Sequence, residues 1–263
     1  MARQVTEWRP YAELHPGDQH TVVGNVLVLP QVHSPQLENT RDVIVYLPPT
    51  YVTTTRRYPV LYLQDGQNLF DSATSFAGVE WQVDETLEAL SAEGCEAIVV
   101  GLPNLGEQRR HEYTPPTNPW WTSRGDRYVA FLCDTIKPLI DDAFRTQTDR
   151  AHTGVIGSSL GGLISLYAFF EKPQVFGLCG ALSPSVWVGR GVIYRHMRPP
   201  LPGDRIYIDH GSQESSARPL YDRLFEQGYR DGRELWYTCE EGGQHTESAW
   251  ARRLPGALRF LLK

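Results

Sequence analysis

The chain has 263 residues, of which 41% are hydrophobic and 21% charged, so it can bury a substantial core and is neither disordered nor fibrous. Its formal charge of -6 lacks the basic excess that is typical of proteins that bind nucleic acids or membrane surfaces. Its length, together with the lack of repeats, low-complexity tracts and linkers, predicts one domain over residues 1–263.

Short apolar or β-branched runs bounded by turn residues predict eight strands, at 21–29, 43–47, 60–63, 97–101, 151–156, 178–182, 205–209 and 234–239. Helical spacing of apolar residues predicts helices at 81–92, 127–142, 160–170, 217–227 and 246–262. Strands that alternate with helices indicate right-handed crossovers, so we expect an α/β fold with a mostly parallel sheet and helices on both faces. The first strands have no helix between them and predict an antiparallel N-terminal edge.

Residues 103–125 interrupt this alternation. The segment contains four prolines and three large aromatic residues, and it is too long for an ordinary connection. We therefore predict a functional loop without a helix.

The N-terminal residues 1–18 are polar and include no apolar stretch typical of a signal peptide. Apolar windows elsewhere are far shorter than the roughly 18 residues that span a bilayer. We therefore expect a cytoplasmic protein without a membrane partner. The four widely separated cysteines form no C-x-x-C pair and predict reduced core thiols rather than a zinc or redox site.

The segment from Gly157 to Gly161 fits the pattern G-x-S-x-G between a predicted strand and a predicted helix. In this pattern a strained turn projects the central serine, and the glycines avoid side chains that would collide. Ser159, rather than Ser158, is therefore the candidate nucleophile. The start of the helix places the backbone N–H of Leu160 beside the oxyanion that nucleophilic attack creates.

A serine nucleophile needs a base and an orienting carboxylate, in the chain order Ser, Asp or Glu, His. Three histidines follow Ser159, and one of them, His245, lies in a glycine-rich loop between the last predicted strand and the last predicted helix. This position at the carboxyl end of a strand predicts His245 as the base. His196 and His210 are expected to be structural or surface residues.

Two carboxylates compete for the orienting role. Glu214 lies in the turn after the predicted strand at 205–209, where the acid is expected, and Asp209 ends that strand. A Glu is as suitable as an Asp because the carboxylate orients the imidazole and stabilises its cation without taking the proton. Glu214 is therefore the favoured acid, Asp209 is the alternative, and a solvated turn carboxylate is the competing interpretation of both.

A second oxyanion donor is expected in the turn that follows the third predicted strand. Gly66 permits the chain to turn sharply there. The backbone N–H of Gln67 is the favoured donor, and those of Gly66 and Asn68 are the alternatives.

With these residues assembled, the chain resembles the putative-esterase family of α/β-hydrolases, which includes enterochelin-esterase-like proteins, feruloyl esterases and esterase D. The segments that carry the resemblance are 41–49, 58–70, 110–115, 157–162, 183–185 and 244–245. The resemblance implies an α/β-hydrolase fold, a nucleophile at Ser159, a base at His245 and an acid in the turn at 211–214. Members often have Asp where this chain has Glu214.

The resemblance also implies that Arg110 and Glu112 form a pair that shapes the loop near the site, or one that is purely structural. Four side chains are predicted to contact the substrate: Asp65, Arg110, Trp120 and Trp121. The two tryptophans are costly to leave in water, so they line a pocket or pack against the domain. The cluster at 109–111 attracts an anionic substrate or is a solvated run of charge.

No metal-ligand spacing, phosphate loop or dinucleotide fingerprint occurs, so we expect no metal and no cofactor. The predicted function is a serine carboxylic-ester hydrolase that acts on a small-molecule ester through an acyl-enzyme, without a nucleic-acid partner. One alternative is transfer of the acyl group to an alcohol or thiol. The other is a non-catalytic binding protein on a hydrolase scaffold, against which the complete set of Ser159, Glu214 and His245 argues.

Overall fold

A computed structural model describes residues 7–117 and 122–263. The described strands are β1 (Arg9–Pro10), β2 (Asn25–Ser34), β3 (Asn39–Leu47), β4 (Val60–Gln64), β5 (Ile98–Leu102), β6 (Thr153–Ser158), β7 (Leu178–Leu182), β8 (Arg205–Gly211) and β9 (Leu235–Glu240). They form one sheet in the order β1-β2-β3-β5-β4-β6-β7-β8-β9. The pairs β1/β2, β2/β3 and β3/β5 are antiparallel, and every later pair is parallel. The mostly parallel sheet and its antiparallel N-terminal edge confirm the prediction.

The described helices are α1 (Tyr11–Leu14), α2 (Val83–Ser91), α3 (Arg109–Glu112), α4 (Gly125–Phe131), α5 (Lys137–Ala143), α6 (Leu160–Glu171), α7 (Val188–Gly191), α8 (Arg218–Glu226) and α9 (Glu247–Leu262). A π-helical turn at Leu132–Ile136 joins α4 to α5. Pro138 has no N–H to donate to the preceding turn, which accounts for the irregularity just before it. The predicted helix at 127–142 is therefore continuous but not regular.

Helices cover both faces of the sheet, as predicted. One apolar core joins the sheet to α4, α5, α6 and α8, with Leu163 and Leu224 fully buried. The other core joins the opposite face to α2 and α9, with Leu87 and Leu258 fully buried. Because both faces are covered, all five residues of β4 are buried, which explains the continuous apolar runs of the central strands.

Strand β2 differs from its predicted bounds of 21–29. It begins later, at Asn25, because Gly24 adopts a φ of 69° that a strand does not accommodate. It also continues beyond Pro30. The pairing of β2 with β3 is irregular between Leu29 and Val32, where Gln31 has a φ of 54°, and this irregularity accommodates the proline.

The segment at 103–125 also differs from the prediction, since it contains helix α3 after a 3-10 turn at Gly106–Gln108. The prolines of the segment lie on either side of α3 and do not enter it. In the described part of the chain, no helix combines the length and the apolar character needed to cross a bilayer.

The cysteines only partly match the prediction of core thiols. Cys95 and Cys179 are free and buried, and Cys133 is half-buried. Cys239 is exposed because β9 is an edge strand of the sheet.

Candidate active site

Ser159 occupies a tight turn between β6 and α6. Its φ of 56° and ψ of -120° are unfavourable for a residue with a side chain, and such strain is typical of a nucleophile elbow. A Cβ on Gly157 would lie 2.5 Å from the carbonyl carbon of Gly161. The backbone of the turn therefore approaches itself so closely that only glycine fits at Gly157.

Three loops at the carboxyl ends of β6, β8 and β9 bring Ser159, Glu214 and His245 together. The Oγ of Ser159 lies 2.9 Å from Nε2 of His245, and Nδ1 of His245 lies 2.5 Å from Oε2 of Glu214. An ionised carboxylate can only accept, so Nδ1–H donates to Glu214 and leaves Nε2 free to accept from the serine hydroxyl. The imidazole is 36% exposed and the carboxylate 5%, so the histidine faces the substrate side.

Glu214 is held by two further donors. The backbone N–H of Gly211 and the hydroxyl of Ser183 donate to its Oε1 at 2.6 and 2.8 Å. Burial raises the pKa of Glu214, but the hydrogen bonds from His245, Gly211 and Ser183 outweigh it and bring the pKa below its ordinary value. The carboxylate therefore stays ionised at neutral pH.

The alternative acid, Asp209, has different partners. Its Oδ1 accepts from the backbone N–H of Ser183 at 3.1 Å and lies 3.1 Å from Nε of Arg253. Burial raises the pKa of Asp209 to about 7, against the opposing effect of Arg253. The structure thus brings Glu214, and not Asp209, against His245.

His196 and His210, the other two histidines that follow Ser159 in the chain, have structural partners. Nε2 of His210 lies 2.7 Å from the hydroxyl of Tyr237, and Nδ1 of His196 lies 2.8 Å from Glu171. Neither contact involves the elbow.

A cleft of about 490 Å³ opens beside Ser159. Gln67, in a 3-10 turn at Gly66–Asn68 directly after β4, lines this cleft, and Leu160 opens α6 next to the serine. Both predicted oxyanion donors therefore belong to segments that border the nucleophile. The side chain of Gln67 accepts from the backbone N–H of Asn104 at 3.1 Å, which ties its turn to the next loop.

Asp65 and Arg109 form one wall of the cleft. Nε and Nη2 of Arg109 donate to the two oxygens of Asp65 at 2.7 and 2.8 Å, and Asn104 donates to Oδ1 at 2.7 Å. Burial lowers the pKa of Arg109, but Asp65 outweighs it and raises the pKa above its ordinary value. The guanidinium is thus fully charged, and the carboxylate of Asp65 balances its charge. The cleft therefore attracts an anionic substrate less than the basic residues at 109–111 would by themselves.

Arg110 is exposed and does not line this cleft. The prediction that Arg110 pairs with Glu112 was wrong. Both oxygens of Glu112 instead accept hydrogen bonds from Nη2 of Arg41, at 2.9 Å. Arg41 and Glu112 are both buried, so this ion pair attaches α3 to β3. The predicted substrate contacts Trp120 and Trp121 lie outside the described residues.

Two residues for which the sequence predicted no role lie at the site. Ser185 places its hydroxyl 3.2 Å from Oγ of Ser159, and its backbone N–H donates to the carbonyl of Ser159 at 2.9 Å. Glu247 begins α9 and lines the cleft. The other site residues were predicted from their proximity to the carboxyl ends of parallel strands. The same rule could have predicted Ser185, which lies just after β7.

One group of carboxylates could hold a metal ion among the residues that the structure describes. Glu80, Asp84 and Glu85 bring one oxygen each to within 4.8 Å of one another, outside the cleft beside Ser159. Burial raises the pKa of Asp84 to about 9, and the neighbouring Glu85 adds to this rise. A shared proton therefore suits this group as well as a cation does.

A mostly parallel sheet with helices on both faces and a serine elbow after a central strand defines an α/β-hydrolase. The chain belongs to the family described as "Putative esterase", whose sequence model matches residues 34–261. It is accordingly a carboxylic ester hydrolase.

The chain is also similar to curated proteins and to a solved structure. YbbA, an uncharacterized protein of Bacillus subtilis (strain 168), is 27% identical over 241 residues, which are 84% of this chain and 92% of YbbA. The siderophore enterobactin esterase of Emericella nidulans is 26% identical over 216 residues, which are 69% of this chain and 68% of that enzyme. The crystal structure of the enterobactin esterase FES from Shigella flexneri has a TM-score of 0.69 at 22% identity. That match covers 94% of this chain but 60% of the Shigella enzyme.

Proposed function

We propose that this chain hydrolyses small-molecule esters through an acyl-enzyme on Ser159, with His245 as the base and Glu214 as the orienting acid. The observation that carries the proposal is the continuous hydrogen-bonded series from Ser159 through His245 to Glu214, at 2.9 and 2.5 Å. The strained turn at Ser159 supports it, because that turn presents the hydroxyl to the cleft and not to the core.

In the first half of the reaction, Oγ of Ser159 attacks the ester carbonyl carbon while Nε2 of His245 takes the hydroxyl proton. The N–H groups of Leu160 and Gln67 are the proposed donors to the resulting oxyanion. Collapse of this intermediate breaks the bond to the alcohol, which leaves with the proton from His245. In the second half, water repeats the same steps on the acyl-enzyme and releases the acid.

The substrates that we propose to examine first are siderophore esters. Two of the relatives described above are named enterobactin esterases. The cleft combines polar side chains such as Asn68 and Asn104 with the aromatic side chains of Phe76 and Trp250, so it can bind a ligand that has both polar and aromatic parts.

The test compares Ser159→Ala with Ser158→Ala. We expect Ser159→Ala to lower kcat/KM for p-nitrophenyl acetate by roughly 10⁴-fold or more, because the nucleophile is removed. Ser158 ends β6 and is buried, so Ser158→Ala should retain most of the activity and serves as the matched control. A fluorophosphonate probe should label the wild type and Ser158→Ala but not Ser159→Ala. Equal turnover or labelling in Ser159→Ala would refute the assignment.

A further inference from the structure

Glu247 places a carboxylate at the cleft beside Ser159. The residue begins α9 two positions after His245, and it lines the same cleft as Ser159. Its Oε1 accepts from Nδ2 of Asn68 at 3.1 Å, which fixes the direction of the side chain. Its Oε2 is buried, and the indole N–H of Trp81 faces the carboxylate.

The charge of Glu247 lacks a counterion. Arg109, the cation that lines the cleft, donates both of its hydrogen bonds there to Asp65. Asp65 and Arg109 cancel one another, and the described residues form no ion pair with Glu247. The ionised cleft therefore carries one net negative charge.

Two aromatic side chains border the same space. Phe76 is 73% exposed at the cleft, and Trp250 lies one turn beyond Glu247 on α9. Aromatic faces attract cations. The lining thus combines a negative charge with aromatic surface.

We propose that Glu247 is the specificity-determining residue of this cleft and that it selects esters that carry an ammonium group over esters that carry a carboxylate. The inference rests on the proposed function, because it requires that esters bound in this cleft are hydrolysed at Ser159.

The charged groups that face Glu247 make this preference depend on pH. Burial raises the pKa of Glu247 to about 7, and the negative charge of Asp65 adds to the rise. Arg109, a hydrogen bond from Trp81, and His245 oppose it. Below that value the neutral acid attracts a cation weakly. The preference for an ammonium ester should therefore increase as the pH rises from 6 to 8.

The experiment measures ratios of kcat/KM for pairs of esters on one enzyme, so that effects common to both esters cancel. On the acyl side, the substrates are p-nitrophenyl esters of equal chain length that end in an ammonium group, a methyl group or a carboxylate. On the alcohol side, they are acetylcholine and its uncharged analogue 3,3-dimethylbutyl acetate. For at least one side, we expect the ratio of cationic to neutral ester to rise about tenfold between pH 6 and 8, because the ionised fraction of a carboxyl group with a pKa of about 7 rises about tenfold over that interval.

Glu247→Gln keeps the shape of the side chain and removes its charge. We expect this variant to lose about tenfold of the cationic-to-neutral ratio at pH 8 and to lose the pH dependence of that ratio. Glu241→Gln removes an equal charge from an exposed residue outside the cleft and should leave the ratio unchanged.

A ratio close to one at every pH, with both pairs of substrates, overturns the inference even if Glu247→Gln does not fold, because that series uses the wild type. An equal ratio in wild type and folded Glu247→Gln overturns it too. Failure of the proposed function has a different signature, namely no hydrolysis of the neutral esters or undiminished hydrolysis by Ser159→Ala.

Discussion

The two oxygens of Glu214 have separate partners. Oε2 faces Nδ1 of His245, and Oε1 accepts from the backbone of Gly211 and the hydroxyl of Ser183. A Glu side chain has one more rotatable bond than Asp, so it needs such fixed donors to hold a single orientation. The donors on Oε1 therefore hold the Glu214 side chain in the orientation in which Oε2 meets His245.

Glu214→Gln tests the role of this carboxylate. The amide can present an N–H where an acceptor is needed, which favours the wrong imidazole tautomer. We expect kcat to fall by a large factor, up to roughly 10⁴-fold, with little change in the melting temperature. The measurements are kcat for p-nitrophenyl acetate and the thermal midpoint under the same conditions.

Asp209→Asn is the matched control for Glu214→Gln. Asp209 contacts Ser183 and Arg253 within the core, so its loss should destabilise the fold by roughly 1 to 3 kcal/mol and affect the melting temperature more than kcat. The opposite pattern, with kcat lost in Asp209→Asn and retained in Glu214→Gln, would transfer the orienting role to Asp209.

At the scale of single elements, the turn between β6 and α6 depends on glycine. A methyl group at Gly157 would meet the backbone of Gly161 at 2.5 Å, and backbone atoms cannot move aside without opening the turn. We therefore expect Gly157→Ala to lose both activity and thermal stability. Kinetic assays and thermal unfolding measure the two effects.

Gly256→Ala is the control for this substitution. Gly256 lies in α9, where an added Cβ would come no closer than 3.6 Å, to the hydroxyl of Tyr207. Alanine in a helix is favoured over glycine by about 0.5 to 1 kcal/mol, so Gly256→Ala should be at least as stable as wild type. Wild-type activity and stability in Gly157→Ala would show that the turn is less crowded than the structure indicates.

Helix α3 has only four residues, so its position depends on tertiary contacts rather than on helix propensity. The buried pair of Glu112 with Arg41 attaches its end to β3, and the pair of Arg109 with Asp65 attaches its start to the turn after β4. This short helix therefore determines that Arg109, and not Arg110, lines the cleft.

At the scale of the whole molecule, buried carboxyl groups make the stability of the fold depend on pH. Burial raises the pKa of Asp84 from 3.8 to about 9, so between these values the folded chain keeps a proton that the unfolded chain has lost. The stabilisation that accompanies this proton is complete below the unfolded value and decreases as the pH rises. Glu214, whose pKa is lowered, acts in the opposite direction at more acidic pH.

Asp84→Asn tests this linkage. The amide oxygen can still accept from the backbone N–H of Val23, as Oδ2 does at 2.7 Å, but the side chain no longer titrates. We expect the melting temperature of the variant, relative to wild type, to increase steadily from pH 5 to pH 8. Glu241→Gln, at an exposed position, should show a difference that does not vary with pH. A constant difference for Asp84→Asn would contradict the raised pKa.

Features that depend on contiguous residues could be predicted from the amino-acid sequence alone. Strand and helix periodicity predicted the α/β order, and the G-x-S-x-G pattern located Ser159 in a strand-to-helix turn. The rule that functional residues follow the carboxyl ends of parallel strands then selected Glu214 and His245 as residues to be brought together. These inferences need only the local pattern and the order of the elements.

The tertiary structure decided which side chains pair across long separations. Asp65 and Arg109 are 44 residues apart, and Arg41 and Glu112 are 71 apart, so no local pattern distinguishes these pairs from Arg110 with Glu112. The choice depends on how α3 packs against β3 and on which side of its single turn faces the cleft. The position of Glu247 in the cleft has the same origin, because its contact with Asn68 joins residues that are far apart in the chain.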